Sequence, residues 1–370
     1  MVRSIALPFV RRLLSARSIG VEITDREVRW VETAGGGVPD IVAAASEPLP
    51  EGAVDEGRIL QVPAVIQALQ TLRQRVGTRQ KNVHLLLPST LTMVRFLKLP
   101  DVPAKDLKKM IDFELRFNIP LPFDKPYYDY VKLPATKPTA SAAPAPAAAE
   151  PPLGQWTLGG GALEAAASKE AEETRPTKEC EVMIVAAPLD TIEEYAGAAR
   201  AAGLKPISIE IKALSLLRVV ERLRPIDPAS TFVLIDLTAT YADIGIYRDG
   251  ALRITRNKAI RFPKAQPSAD PTTDWSQFEF QSACQDLASE VERFINFYRY
   301  SLNNRDEEVG HLLLSGDAER IEDIAAYFRD RFPFDIGTLR IEGKVKHPGT
   351  GLDLIRYISP LGLALRGREA

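Results

Sequence analysis

The sequence predicts a mixed α/β protein built from two related lobes that face each other across a cleft, and two observations carry that prediction. Gly20, Val21, Glu22, Ile23 and Thr24 share a design with Leu234, Ile235, Asp236, Leu237 and Thr238: an apolar strand with one acid near its end, then a polar turn, a second strand and a third. Two such openings, too dissimilar for a repeat array, point to a duplicated fold. The other observation is the alternation of strands and helices with short joins after residue 180, the pattern of sheets covered by helices.

Taken in order, alternating apolar residues place strands at 18–24, 27–33 and 40–46. A helix follows at 62–76, where Val62, Val65, Ile66, Leu69, Leu72 and Val76 make one face. Strands at 82–87 and 93–98 and a helix at about 104–117 come next. YYDYVKL (127–133) and CEVMIVAAP (180–188) read as strands able to pair, and between them residues 134–178 are rich in Ala, Pro and Gly, which predicts a disordered loop excursion within one domain. Helix 190–202 ends at Gly203, strand 207–210 leads to helix 213–223, and residues 231–260 make three strands with the hairpin signal Asp249-Gly250. From 278 to 302, Phe280, Cys284, Leu287, Val291, Phe294, Tyr298 and Leu302 follow one another in steps of four and three, a long helix packed beneath a sheet. A strand from His311 runs into Ser315-Gly316 and a helix that Asp317 can cap; DIGTLRIE (335–342) is a further strand and 358–367 a closing helix.

The formal net charge of -2 gives no electrostatic reason to expect nucleic acid as a partner, since its recognition draws on clustered Lys and Arg. Cys180 and Cys284 lack the companions that a zinc site or a disulfide framework needs and read as reduced cytoplasmic thiols. No run of about 18 apolar residues suggests a membrane span, so a soluble protein is expected. Residues 1–17 read as a basic leader, because their apolar stretch is broken by Pro8 and Arg11 and lacks a small-residue cleavage site. His84, His311 and His347 fall in no metal or nucleophile motif, and no carboxylate spacing singles out an acid–base pair, so no catalytic residue is nominated.

The segments GVEITDREVRWVE (20–32), RFLKLPDVPAKDLKKMIDFELRFNIPLPFDKPYYDYVKL (95–133), AARAAGLKPISIEIKALSLLR (198–218), FVLIDLTATYADIGIYRDGALRITR (232–256), LLLSGDAERIEDIAAYF (312–328) and PLGLALRG (360–367) together resemble the PilM family of type IV pilus assembly proteins. The most telling part runs from Leu99-Pro100 through Glu114 and Asn118-Ile119-Pro120-Leu121-Pro122-Phe123 to Asp129-Tyr130. The resemblance implies an actin-like, ribonuclease H-like fold of two lobes, with a small α+β subdomain of the SHS2 type, shared with the division protein FtsA, inserted in the first. On that basis 18–79 begins the first lobe, 80–205 is the inserted subdomain, and 206–370 holds the rest of the first lobe and the second. The resemblance also implies a place at the inner face of the cytoplasmic membrane and a PilN-like bitopic partner bound by its N-terminal peptide. Other inner-membrane components of the pilus are implied beside it, and a homo-oligomer is left open. Leu99, Phe113, Phe117, Ile119 and Phe123 are the expected peptide-groove residues.

Members of that family bind ATP between the lobes, which implies Glu22, Thr24, Asp236, Thr238, Thr240, Ser315 and Gly316 as cleft positions. Phosphates need several backbone N–H groups at close approach, favouring Gly, Ser and Thr, and an acid at the strand end to hold Mg2+ and its waters. Here Thr24 replaces a glycine of the family pattern, Asp25, Arg26 and Glu27 follow it, Leu237 replaces a second glycine and Asp317 a third. One like-charge pair at about 4 Å in an effective dielectric near 20 costs on the order of 4 kcal/mol, comparable to the free energy of a millimolar complex. After Ile260, FPKAQPSADPTTDWSQ leads almost directly to the long helix, where the family has a helical roof over the nucleotide. The expectation is therefore a binding scaffold with a degenerate cleft and no cofactor. A working ATPase that takes ATP and Mg2+, or an FtsA-like division or shape protein, are the alternatives.

Overall fold

A computed structural model describes residues 17–34, 40–134, 179–263, 275–302, 304–305, 307–341, 345 and 354–366. The basic leader up to residue 16, the Ala/Pro-rich stretch 135–178 and most of the segment after Phe262 lie outside the described residues.

Strands β1 (Ser18–Ile23), β2 (Glu27–Ala34) and β3 (Asp40–Pro48) form an antiparallel meander. A two-strand hairpin of β4 (Val54–Asp55) and β5 (Arg58–Ile59) follows, and β6 (Asn82–Leu87) then returns to pair parallel with β1. Strand β10 (Lys205–Ile211) pairs parallel with β6, giving the sheet order β10-β6-β1-β2-β3. The second sheet repeats this plan with β11 (Phe232–Leu237), β12 (Tyr241–Arg248), β13 (Ala251–Ala259), β14 (His311–Gly316) and β15 (Asp335–Thr338), in the order β13-β12-β11-β14-β15. The two sheets are topological copies, as the two matched sequence openings predict.

Each sheet carries helices on its outer face. In the first lobe these are α1 (Val62–Val76) and α3 (Leu189–Ala201), whose Val65, Leu69, Leu72, Tyr195 and Ala199 pack with Ile19, Val21 and Leu85. Pro63 opens α1 and Gly77, at φ 66°, closes it, the usual asymmetry of helix ends. In the second lobe α5 (Trp275–Asn296) and α6 (Ile321–Arg331) bury Phe280, Cys284, Leu287, Val291, Phe294 and Phe328. The stripe of α5 continues through a wide π turn at Phe297–Ser301 as far as buried Tyr298, whereas Leu302 is exposed.

Two helices, α4 (Lys212–Leu223) and α7 (Ile358–Arg366), pack against each other in a core that also holds Val31 and Ile41 of the first sheet and Phe232, Leu234 and Tyr247 of the second. The crossing is tight: a Cβ on Gly362 would lie 2.1 Å from Ser215 O, and one on Gly20 1.9 Å from Pro360 O. Gly20, in the opening motif, is thus required by close helix approach.

A third, antiparallel sheet of β7 (Met93–Pro100), β8 (Pro126–Lys132) and β9 (Glu179–Pro188), in the order β7-β9-β8, is covered by α2 (Ala104–Phe117). The two strands flanking the Ala/Pro-rich stretch do pair side by side. The small sheet has its own core of Leu99, Leu107, Ile111, Cys180, Val182 and Ile184. Strand β6 and helix α3, both inside the 80–205 span expected for the insert, pair and pack with the first lobe instead.

Candidate functional site

The two matched turns, Thr24–Arg26 and Thr238–Thr240, face a cleft of about 580 Å³. Their geometry is the same. Thr24 Oγ1 donates to Glu27 O at 2.9 Å and accepts from Glu27 N at 3.1 Å. Thr238 Oγ1 does so with Tyr241 O at 3.2 Å and Tyr241 N at 3.0 Å. These hydroxyls close their own turns, the ordinary use of Thr at such positions.

Equivalent register positions flank the two turns: Glu22 opposes Arg29 in the first lobe, and Asp236 opposes Asp243 in the second. Two acids directly across a strand pair repel each other, and Lys212, the first residue of α4, answers them. Its Nζ lies 2.9 Å from Asp236, 3.4 Å from Glu22 and 3.7 Å from Asp243, with all four side chains largely buried. Asn257 Nδ2 also donates to Asp243 at 2.7 Å. On the other side of Glu22, Arg29 pairs with Glu22 at 3.5 Å, donates from Nε to Glu27 at 2.6 Å and reaches across the cleft to Asp317. Arg356, beside α7, pairs with Glu27 at 2.6 Å. Five carboxylates thus share three cations.

The protonation of these groups follows from burial set against charge. Burial pushes the Glu22 carboxyl above its ordinary range, further than Lys212 and Arg29 pull it down. Asp243 is raised for the same reason. The Lys212 ammonium is opposed by burial, yet Asp236, Glu22 and Asp243 hold it charged well above the usual lysine range. Glu27 is also pushed up by burial, but the Arg29 hydrogen bond and the Arg29 and Arg356 charges outweigh it and bring the carboxyl below its usual value.

Of the seven cleft positions expected from the sequence, Glu22, Thr24, Thr238 and Thr240 line the cavity. Asp236 is buried and meets it through Lys212. Ser315 and Gly316 are buried in β14, beside Asp236 and Leu237. Gly316, at φ +107°, would carry a Cβ 2.0 Å from Leu237 O, so strand packing explains that glycine. Asp317 does not cap α6, which starts at Ile321 with no side-chain cap; its carboxylate is taken by Arg29. Arg26, in the first turn, is exposed, and Arg29 supplies the inward cation.

The residues present do not fit Mg2+ with a nucleotide. The cation seat among Glu22, Asp236 and Asp243 faces a lysine ammonium, and among the described residues no cluster of His, Cys, Asp or Glu could hold a metal ion. A phosphate brought to the turns would meet Glu22, Glu27 and Asp317 with Arg29 already engaged, while Arg26, Lys212, Arg320 and Arg356 also line the cavity.

The expected groove residues divide. Leu99 belongs to the small core. Phe113 and Phe117 stand exposed one turn apart on α2, 56% and 65% accessible, with ring centroids 4.8 Å apart. Ile119 and Phe123 are half-buried.

Two five-stranded sheets of one topology, joined by crossing helices and enclosing a cleft at their matched turns, define the actin-like class. Residues 20–148 match the family model described as type IV pilus assembly protein PilM. Similar solved structures include a PilM-PilN type IV pilus biogenesis complex, at 20% identity over 95% of this chain and 99% of that chain with a TM-score of 0.72. They also include the ethanolamine utilization protein EutJ from Carboxydothermus hydrogenoformans, at 11% identity over 95% and 89% with a TM-score of 0.48. A Bacteroides thetaiotaomicron protein with an actin-like ATPase fold follows at 8% identity over 97% and 98%, with a TM-score of 0.42. No curated protein matches in sequence. The chain is PilM-like in sequence over its N-terminal third and in fold over nearly its whole length.

Proposed function

We propose that this chain is a cytoplasmic scaffold of type IV pilus or competence-pilus assembly. It sits at the inner face of the cytoplasmic membrane by holding the N-terminal peptide of a PilN-like bitopic protein, and its nucleotide cleft is degenerate. The match of residues 20–148 to the PilM family carries this reading, since it spans the first meander and the β7–α2–β8 run. The fold, shared with a structure described as a PilM-PilN complex, supports it.

Phe113 and Phe117 are the main peptide contacts in this reading, with half-buried Ile119 and Phe123 as the further ones. An exposed aromatic pair contributes little to its own core and offers large area to a partner. Calorimetric titration with the N-terminal peptide of a PilN-like protein encoded near this chain tests the assignment. Phe113→Ala with Phe117→Ala should weaken binding at least about tenfold, or about 1.4 kcal/mol, with an unchanged melting midpoint. No saturable binding to the native chain would sink the reading.

A working ATPase is favoured by one observation, the cleft's 580 Å³, within the roughly 300–1,000 Å³ of small-molecule sites. Equilibrium dialysis with Mg-ATP separates the two readings. A micromolar dissociation constant that disappears in Asp236→Ala would restore the nucleotide.

A further inference from the structure

We propose that Lys212 and Arg29 form a built-in ion lock that holds the two lobes at a fixed closure without any ligand, standing in for a metal and a phosphate chain. The lock rests on the degenerate-cleft part of the reading above and is measured without any peptide: unchanged distances in the variants sink the lock alone, whereas closure of the parent by Mg-ATP sinks the degenerate cleft with it.

The partners come from both lobes. Lys212 begins the crossing helix α4 and joins Glu22 on β1 to Asp236 and Asp243 on β11 and β12. Arg29 on β2 joins Glu22 and Glu27 of its own lobe to Asp317 at the end of β14. Arg29 Nη1 further donates to Arg356 O at 3.3 Å, and Arg356 returns to Glu27, which ties in the segment leading to α7. The ion pairs of Lys212 and Arg29 thus cross the cleft from two buried cations, beside the polar contacts of Tyr241 with Glu56 and of Asp243 with Ser89.

A buried ion pair adds little net stability against an apolar replacement, because desolvation offsets attraction. What it does enforce is geometry. With Lys212 in place, Glu22, Asp236 and Asp243 tolerate one another at close range; with it removed, three carboxylates face each other across two lobes and opening relieves them. The same arrangement leaves a bound nucleotide little to do, since a ligand shifts lobe closure only by its differential affinity for the closed state.

The test is an interlobe distance measured on the full chain by pulsed electron spin resonance at pH 8. Labels go on Gln70→Cys, exposed on α1, and Asp330→Cys, exposed on α6; native Cys180 and Cys284 are buried. The parent should give a narrow distribution that Mg-ATP does not move. Lys212→Met should shift it to longer distance and broaden it. Asp317→Asn, at a carboxylate 23% accessible, should shift it in the same direction by less, and it decides the matter alone if Lys212→Met does not fold. Unchanged distances in the folded variants, or a parent that closes further with Mg-ATP, would overturn the lock.

Discussion

Glu22 and Glu27 lie five residues apart, line one cleft and are shifted in opposite directions, because burial prevails at Glu22, whereas at Glu27 the Arg29 hydrogen bond together with the Arg29 and Arg356 charges outweighs it. The sign of each contribution to stability follows. The folded-state value of Glu27 lies below the 4.5 of a free glutamate, so as pH falls the unfolded chain takes up this proton first. Its stabilisation is complete above that value and is lost as pH falls through the folded one. Glu22 lies above 4.5, so the folded chain takes up the proton first and stability rises as pH falls through its folded value toward 4.5. Melting midpoints measured over roughly pH 3 to 7 should show Glu27→Gln flattening the acid limb and Glu22→Gln removing the rise above it. Matching profiles for the two variants would mean that burial and pairing do not differ as drawn.

At the scale of elements, the glycines with a left-handed backbone separate into those held by a turn and those held by packing. Gly316 combines φ +107° with a Cβ direction aimed at the Leu237 backbone, whereas Gly52, at φ +70°, has open space around it. Gly316→Ala should therefore cost more than about 3 kcal/mol, since overpacking adds to backbone strain, while Gly52→Ala should cost about 1–2 kcal/mol from strain alone. Chemical denaturation of the two variants compares them directly. Much of this level is legible in the sequence: the apolar spacing from Val62 to Val76 defines α1, and Asp249-Gly250 turns β12 into β13. The matched openings also give the duplicated sheets. The site is much less legible. Periodicity tells that Lys212 starts a helix and that Arg29 alternates along a strand, but not that Asp236, Asp243 and Asp317 arrive opposite them from the other lobe. Asp317 before an apolar run reads as a cap, and only the approach of Arg29 shows its other use.

Across the whole molecule, the cores decide what unfolds together. The core around α4 and α7 includes residues of both large sheets, and Met183 on β9 and Leu133 next to β8, from the insert's own sheet, also join it. Opening that core exposes surface in both lobes at once, so the lobes cannot melt independently. The insert's own core is far smaller, built from Leu99, Leu107, Ile111, Cys180, Val182 and Ile184. Small clusters with few buried partners open first, as separate cooperative units. Leu361 and Ile111 are both fully buried, one in each core, and truncation to alanine at either removes comparable apolar volume, at a cost of about 2–5 kcal/mol. Their calorimetric signatures should nevertheless differ. Leu361→Ala should lower the main transition as a single peak, because both lobes share the lost contact. Ile111→Ala should leave that peak almost in place and split off a smaller one at lower temperature. It should also abolish peptide binding before the lobes unfold, since Phe113 and Phe117 ride on the same helix. One peak lowered equally by both substitutions would show that the insert and the lobes form a single cooperative unit, and the peptide contact could then not be switched off without melting the cleft.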